Sequence, residues 1–85
     1  MPRSTSTEAY AIMVNMLRNL RLRSRLTQGE LAARIRKPQA FISTVETGAR
    51  RIDVIEFCVL ARVLEQDPVA LFDAVVRELP HDIDI

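Results

Sequence analysis

Gln39, Ala40, Ser43 and Thr44 follow Pro38 at spacings that put four short side chains on one side of a helix. A glutamine amide pairs bidentately with adenine, a threonine meets a polar base edge or a thymine methyl, and alanine touches that same methyl. Side chains this small also let a helix sink into a major groove. The same residues would serve equally as a solvated helix face, so their meaning depends on the elements that carry them.

The opposite side of this segment, Phe41, Ile42 and Val45, is apolar and suits burial, while Pro38 supplies a fixed φ at a helix start where no N–H is needed. Just upstream, Leu31, Ala32 and Ile35 share one helical face. Thr27 with Glu30 three residues later forms a capping box, which predicts a helix starting at about Gln28. Two short amphipathic helices laid end to end across a tight break, about 28–46, have the layout of a helix-turn-helix DNA reader.

Longer helices surround it. From Thr7 to about Ser24, Tyr10, Met13, Leu17 and Leu20 recur at helical steps, with Thr5 and Glu8, or Ser6, placed to cap. Asp53 and Glu56 mark a further helix start, followed by an inward stripe of Val54, Phe57, Leu60, Ala61 and Leu64. Asp67-Pro68 opens the last helix, with Leu71, Phe72, Val75 and Leu79 as its apolar side, and Pro80 stops it. The expectation is an all-α fold, a compact five-helix domain over 7–80 with short tails at 1–6 and 81–85.

The run from Leu17 to Phe72 resembles the lambda-repressor-like family of Cro and phage repressors, the Xre type, through the ordered set LTQ, ELA, KPQ, IS, E-x-G and RR. The resemblance implies that the helix at Pro38 is the recognition helix, with Gln39, Ala40 and Thr44 facing bases. It also implies that Gln28 anchors to phosphate and supports Gln39, that Lys37, Ser43, Thr47, Arg50 and Arg51 face the DNA backbone, and that Arg21 pairs with Glu46. The family usually has glycine at the end of its first helix and in the central turn, where a left-handed residue is easiest without a Cβ. Arg25 and Arg36 stand there instead, trading strain for positive charge. Gly29, inside the second helix, costs about 1 kcal/mol against alanine.

The net charge of the 85 residues is only +1, but it is sorted along the chain. Residues 1–51 carry ten basic against three acidic side chains, a surplus of +7; residues 52–85 carry two against eight, a deficit of −6. A basic half holding the reader suits phosphate contact, and an acidic far side orients the approach. Cys58 is alone, which excludes an intramolecular disulfide, suggests a buried thiol and fits a reducing cytoplasm. No apolar run is long enough for a leader or a membrane span. His81 lacks companions for a metal site, and neither Cys58 nor Ser43 has a base nearby, so neither an enzyme nor a cofactor is expected.

Ile55, Val59 and Val63 form a second apolar stripe on the fourth helix, beyond what one core-facing side needs. Two coverings are open: a second copy in a twofold homodimer, or, within the chain, the first helix through Ile12, Met13 and Met16, or the last through Val76. The function expected is a DNA-binding transcriptional regulator, a repressor acting as a homodimer on a palindromic operator. The alternative is a protein-interaction module on the same scaffold, including an antitoxin-type protein that binds a toxin.

Overall fold

Thr7 starts the first helix: its hydroxyl accepts the Tyr10 N–H at 3.1 Å, satisfying one of the donors left over in a first turn. Thr5 and Ser6 lie outside the described residues, which are 7–83 in this computed structural model. Among them the chain forms α1 (Glu8–Arg23), α2 (Gln28–Arg34), α3 (Gln39–Glu46), α4 (Val54–Val63) and α5 (Pro68–Glu78), with no strand. None of these helices is long and apolar enough to cross a membrane.

Two full capping boxes set the starts of α2 and α4, Thr27 with Glu30 and Asp53 with Glu56, each pair bonding reciprocally. Asp67 accepts the Val69 N–H and Pro68 occupies the first turn of α5. Pro38 stands one residue outside α3: its ψ of 157° is extended, so the helix begins at Gln39 with Pro38 as its N-cap.

Three connections close in the same way. Arg25, Arg36 and Glu65 have φ of 60°, 59° and 60°, and each makes the paired backbone bonds of a Schellman turn. The Leu26 N–H, for example, reaches Arg21 O while the Arg25 N–H reaches Leu22 O. All three residues carry a Cβ in a region that favours glycine. Gly48, after α3, takes φ 82° without that penalty.

The core gathers Leu17, Leu31, Ala32, Ile42, Phe57, Leu60, Ala61, Leu64, Leu71 and Val75. The buried face of α1 runs through Tyr10, Val14, Leu17 and Arg21; Met13 and Leu20, expected at its centre, pack at its margins. Three other expectations are corrected. Val54 is 71% exposed, because as the first residue of α4 it lies past the edge of the core, and Phe72 is half-exposed, meeting the core only edge-on to Phe57 with ring centroids 6.0 Å apart. Cys58 is half-buried rather than enclosed, since it lies beside the inward face of α4 and not on it.

Candidate nucleic-acid interface

The site begins with a buried ion pair. Arg21 on α1 donates through Nε to Glu46 Oε2 at 2.7 Å and through Nη2 to Glu46 Oε1 at 3.0 Å, with both side chains only 8% exposed. This two-pronged geometry fixes direction as well as distance. The remaining guanidinium arm, Nη1, donates to Leu26 O at 2.7 Å, so Arg21 joins the end of α3 to the α1–α2 connection. Arg18, one turn earlier on α1, brings its Nε to 3.8 Å from Glu46 Oε1 and adds positive charge from the solvent side. Its i, i+3 spacing from Arg21 was the available sequence signal.

Glu46 then orients two glutamines. An ionised carboxylate only accepts, so Gln28 must turn Nε2 towards it, and does so at 2.9 Å to Oε1. That leaves Gln28 Oε1 as an acceptor, and Gln39 Nε2 donates to it at 2.7 Å. Every bond from Arg21 to Gln39 is thus polarised from the carboxylate outward. Gln39 ends the chain on the exposed side of α3 with Oε1 and one N–H unspent, the acceptor and donor that adenine N6 and N7 require.

The rest of the expected reading face is mixed. Ala40 is exposed and Ser43 half-buried. Thr44 turns its hydroxyl back into the helix, towards Ala40 O at 2.9 Å and Phe41 O at 3.0 Å. Its proton is therefore spent locally, leaving a base the methyl group and the oxygen lone pairs. Thr47 is exposed and donates to Thr44 O at 3.1 Å.

The basic residues differ in availability. Lys37 is exposed, its Nζ 5.5 Å from the Phe41 ring centroid. Arg50 is held three ways: over the same ring at 4.6 Å, against Glu56 through bonds of 3.2 and 3.3 Å, and on Arg51 O at 2.7 Å. Arg51 lies over the Tyr10 ring at 4.6 Å. Tyr10 bonds the loop after α3, a role its apolar spacing on α1 gave no sign of, because the partners lie 40 and 42 residues away.

On α4, Ile55 is 69% and Val59 43% exposed, whereas Val63 packs against the core. Val76 is itself 47% exposed, and Ile55 and Val59 stay open within the chain. Ile35, Phe41, Ile55 and Val59 line a shallow groove of about 170 Å³.

A family model described as a helix-turn-helix domain matches residues 13–74. A solved XRE-family like protein from Pseudomonas syringae pv. tomato str. DC3000 is 39% identical, covering 85% of this chain and 88% of its own, with a TM-score of 0.79. The chain belongs to the Xre-type helix-turn-helix family.

The restriction-modification controller protein C.Esp1396I shares the fold: the wild-type protein is 23% identical with a TM-score of 0.76, covering 91% of this chain and 100% of its own. Its tetramer in complex with its natural 35 base-pair operator is 20% identical with a TM-score of 0.75, covering 86% and 96%. No curated protein matches the sequence.

Proposed function

We propose that this Xre-type domain is a sequence-specific double-stranded DNA-binding transcriptional regulator, a repressor that acts as a homodimer on a palindromic operator. The observation that carries the reading is the polarised relay Arg21, Glu46, Gln28, Gln39, which holds an adenine-matched amide at the exposed start of α3. A solvated helix face has no need of such aim. Gln28 keeps a second amide proton for a phosphate oxygen, and Lys37 and Arg51 add charge beside it. Gln39, Ala40 and the Thr44 methyl face the bases; Ser43, Thr47 and Arg50 line the backbone contact, Arg50 exchanging Glu56 for phosphate. The operator complex of C.Esp1396I supports the reading by analogy of fold.

The dimer follows from reach and from surface. One recognition helix reads a few base pairs, whereas two related by a dyad read half-sites one turn, roughly 34 Å, apart. Ile55 and Val59 offer the open apolar face, with Val63 at its buried edge. Val59→Glu is expected to give folded monomers with much weaker operator binding; a wild-type native mass of one chain at micromolar concentration would refute the dimer.

Random-site selection with the purified protein tests the whole reading. The expected outcome is an enriched, twofold-related motif. Recovery of no sequence above the input pool would remove the DNA-reading function.

A further inference from the structure

The loop between α3 and α4 carries two adjacent arginines, and they are not equivalent. The Arg50 guanidinium is held by Phe41, Glu56 and Arg51 O, although its side chain stays 43% exposed. Arg51 touches no carboxylate among the described residues; its guanidinium lies over the Tyr10 ring, with the guanidinium carbon 4.6 Å from the ring centroid. No hydrogen bond or ion pair to another described residue occupies the Arg51 N–H groups, which leaves them for a phosphate, and packing on the ring removes rotamer freedom before DNA arrives.

Tyr10 does more than support that side chain. Its hydroxyl accepts the Ile52 N–H at 3.0 Å and donates to Arg50 O at 3.3 Å, so it grips the backbone on both sides of Arg51. Tyr10 as a whole is 9% exposed, set in α1 on the same buried face as Val14 and Leu17. On the other side, the Arg50 N–H bonds Thr44 O at 3.1 Å, tying the same loop to α3. The loop is thus tied to the recognition helix by the Arg50 N–H as well as by the bonds of Thr47 and Gly48 at the helix end, whereas its two bonds to α1 both end on one phenol oxygen.

We infer that Tyr10 is a positioning residue for DNA backbone recognition: its hydroxyl fixes the loop and its ring fixes the guanidinium, so that Arg51 meets a phosphate preorganised. The inference rests on the proposed DNA-binding function and adds a residue to it that touches no DNA. Without the hydroxyl the loop loses its anchor on α1, and Arg51 must be ordered at the moment of binding.

The test is a double-mutant cycle on Tyr10→Phe and Arg51→Ala, read by binding to a mixed-sequence DNA duplex across a salt titration. Tyr10→Phe keeps the ring and the core, so its melting transition should stay cooperative. It should lose affinity several-fold, and the slope of log K against log salt should shrink by up to the 0.9 or so that one phosphate contact contributes. Arg51→Ala should do the same, and the double variant should be no worse than Arg51→Ala alone. Amide exchange at Ile52 should speed up in Tyr10→Phe.

Wild-type affinity and slope in Tyr10→Phe, or losses that simply add in the double variant, would overturn the positioning role while leaving DNA binding intact. Loss of the cooperative fold in Tyr10→Phe would overturn it too, by making the hydroxyl a determinant of folding. No salt-dependent binding by the wild-type protein would instead refute the DNA-binding function, and this role with it.

Discussion

Around α2 and α3 the apolar core contacts of Leu31, Ala32 and Ile42 are joined by a polar and directional chain, running from Arg21 through Glu46 and Gln28 to Gln39. The junction of α4 and α5 is apolar, with Phe57, Leu60, Ala61, Leu64, Leu71 and Val75 at its centre and Ile55, Val59, Phe72 and Val76 left open outside. Apolar packing stabilises without aiming anything, because it is non-directional. A buried ion pair aims its neighbours but repays its desolvation only when every bond is made. The contrast matches the tasks proposed for the two regions, presenting an amide at a fixed angle in one and joining copies in the other.

Removing one member of the pair should break the polar region most severely. Arg21→Ala leaves the Glu46 carboxylate, 8% exposed, with only the Gln28 amide and the more distant Arg18, and is expected to cost about 3 kcal/mol, read as a lower urea midpoint at unchanged m. The sharper variant replaces both partners, Arg21→Met with Glu46→Leu. Stability should largely return, since apolar isosteres often match a buried pair. DNA sequence preference should not return, because Gln28 has lost the acceptor that orients it. Recovery of both together would mean that the relay has no aiming role.

Within the reading face, Gln39→Ala should lose about 1–3 kcal/mol on the selected site and little on random DNA. Arg51→Ala should weaken both alike and flatten the salt dependence. Competition binding with the two duplexes distinguishes these outcomes. Equal losses from Gln39→Ala on both would take Gln39 out of base reading.

The polar region was also the more legible in sequence, because its signals are local or motif-like. Thr27 with Glu30 fixes the start of α2 by a three-residue spacing, and LTQ and KPQ place Gln28 and Gln39 on facing helix starts. What stayed hidden depends on long-range geometry. Nothing near Arg50 in the chain says that Phe41 and Glu56 will hold it, and nothing near Tyr10 points to Ile52. On α4 and α5 apolar residues occupy more than one face, so periodicity alone could not say that Val54 and Phe72 would be open while Val63 packs inward. At the start of α1, Thr5, Ser6 and Thr7 are chemically equivalent caps, and only the register of the helix selects Thr7.

The turns provide a smaller test that crosses both regions. Glu65 and Arg36 adopt the same left-handed conformation, the first leaving α4 and the second between α2 and α3. Glu65→Gly should raise stability by up to about 1 kcal/mol, the left-handed penalty less the extra chain entropy of glycine. Arg36→Gly should stabilise similarly but also remove a positive charge from the basic half and lower DNA affinity. Thermal melts and binding, measured on both variants, should therefore agree in the first property and part in the second. A destabilised Glu65→Gly would show that its side chain makes up for the strain.

The smallest expected effect concerns the capping box that starts α2. Glu30 accepts the Thr27 N–H at 2.8 Å, and that backbone bond, followed by the Thr27 hydroxyl and then the charge of Arg34, holds its carboxyl below the usual value of 4.5. A carboxylate with a depressed folded-state value contributes stability that is fully present above its unfolded value and is lost as pH falls through the folded one. Glu30→Gln keeps a capping acceptor but cannot titrate. Unfolding curves of the wild-type protein and Glu30→Gln should therefore differ slightly at neutral pH, in favour of the wild type, and converge as the solution is acidified below the ordinary glutamate range. The side chain is fully exposed, so salt should weaken the Arg34 contribution while sparing the hydrogen bond to Thr27. A gap between the two proteins that is independent of pH would mean that the charge on Glu30 adds nothing to the cap, and that the start of α2 depends on hydrogen-bond geometry alone.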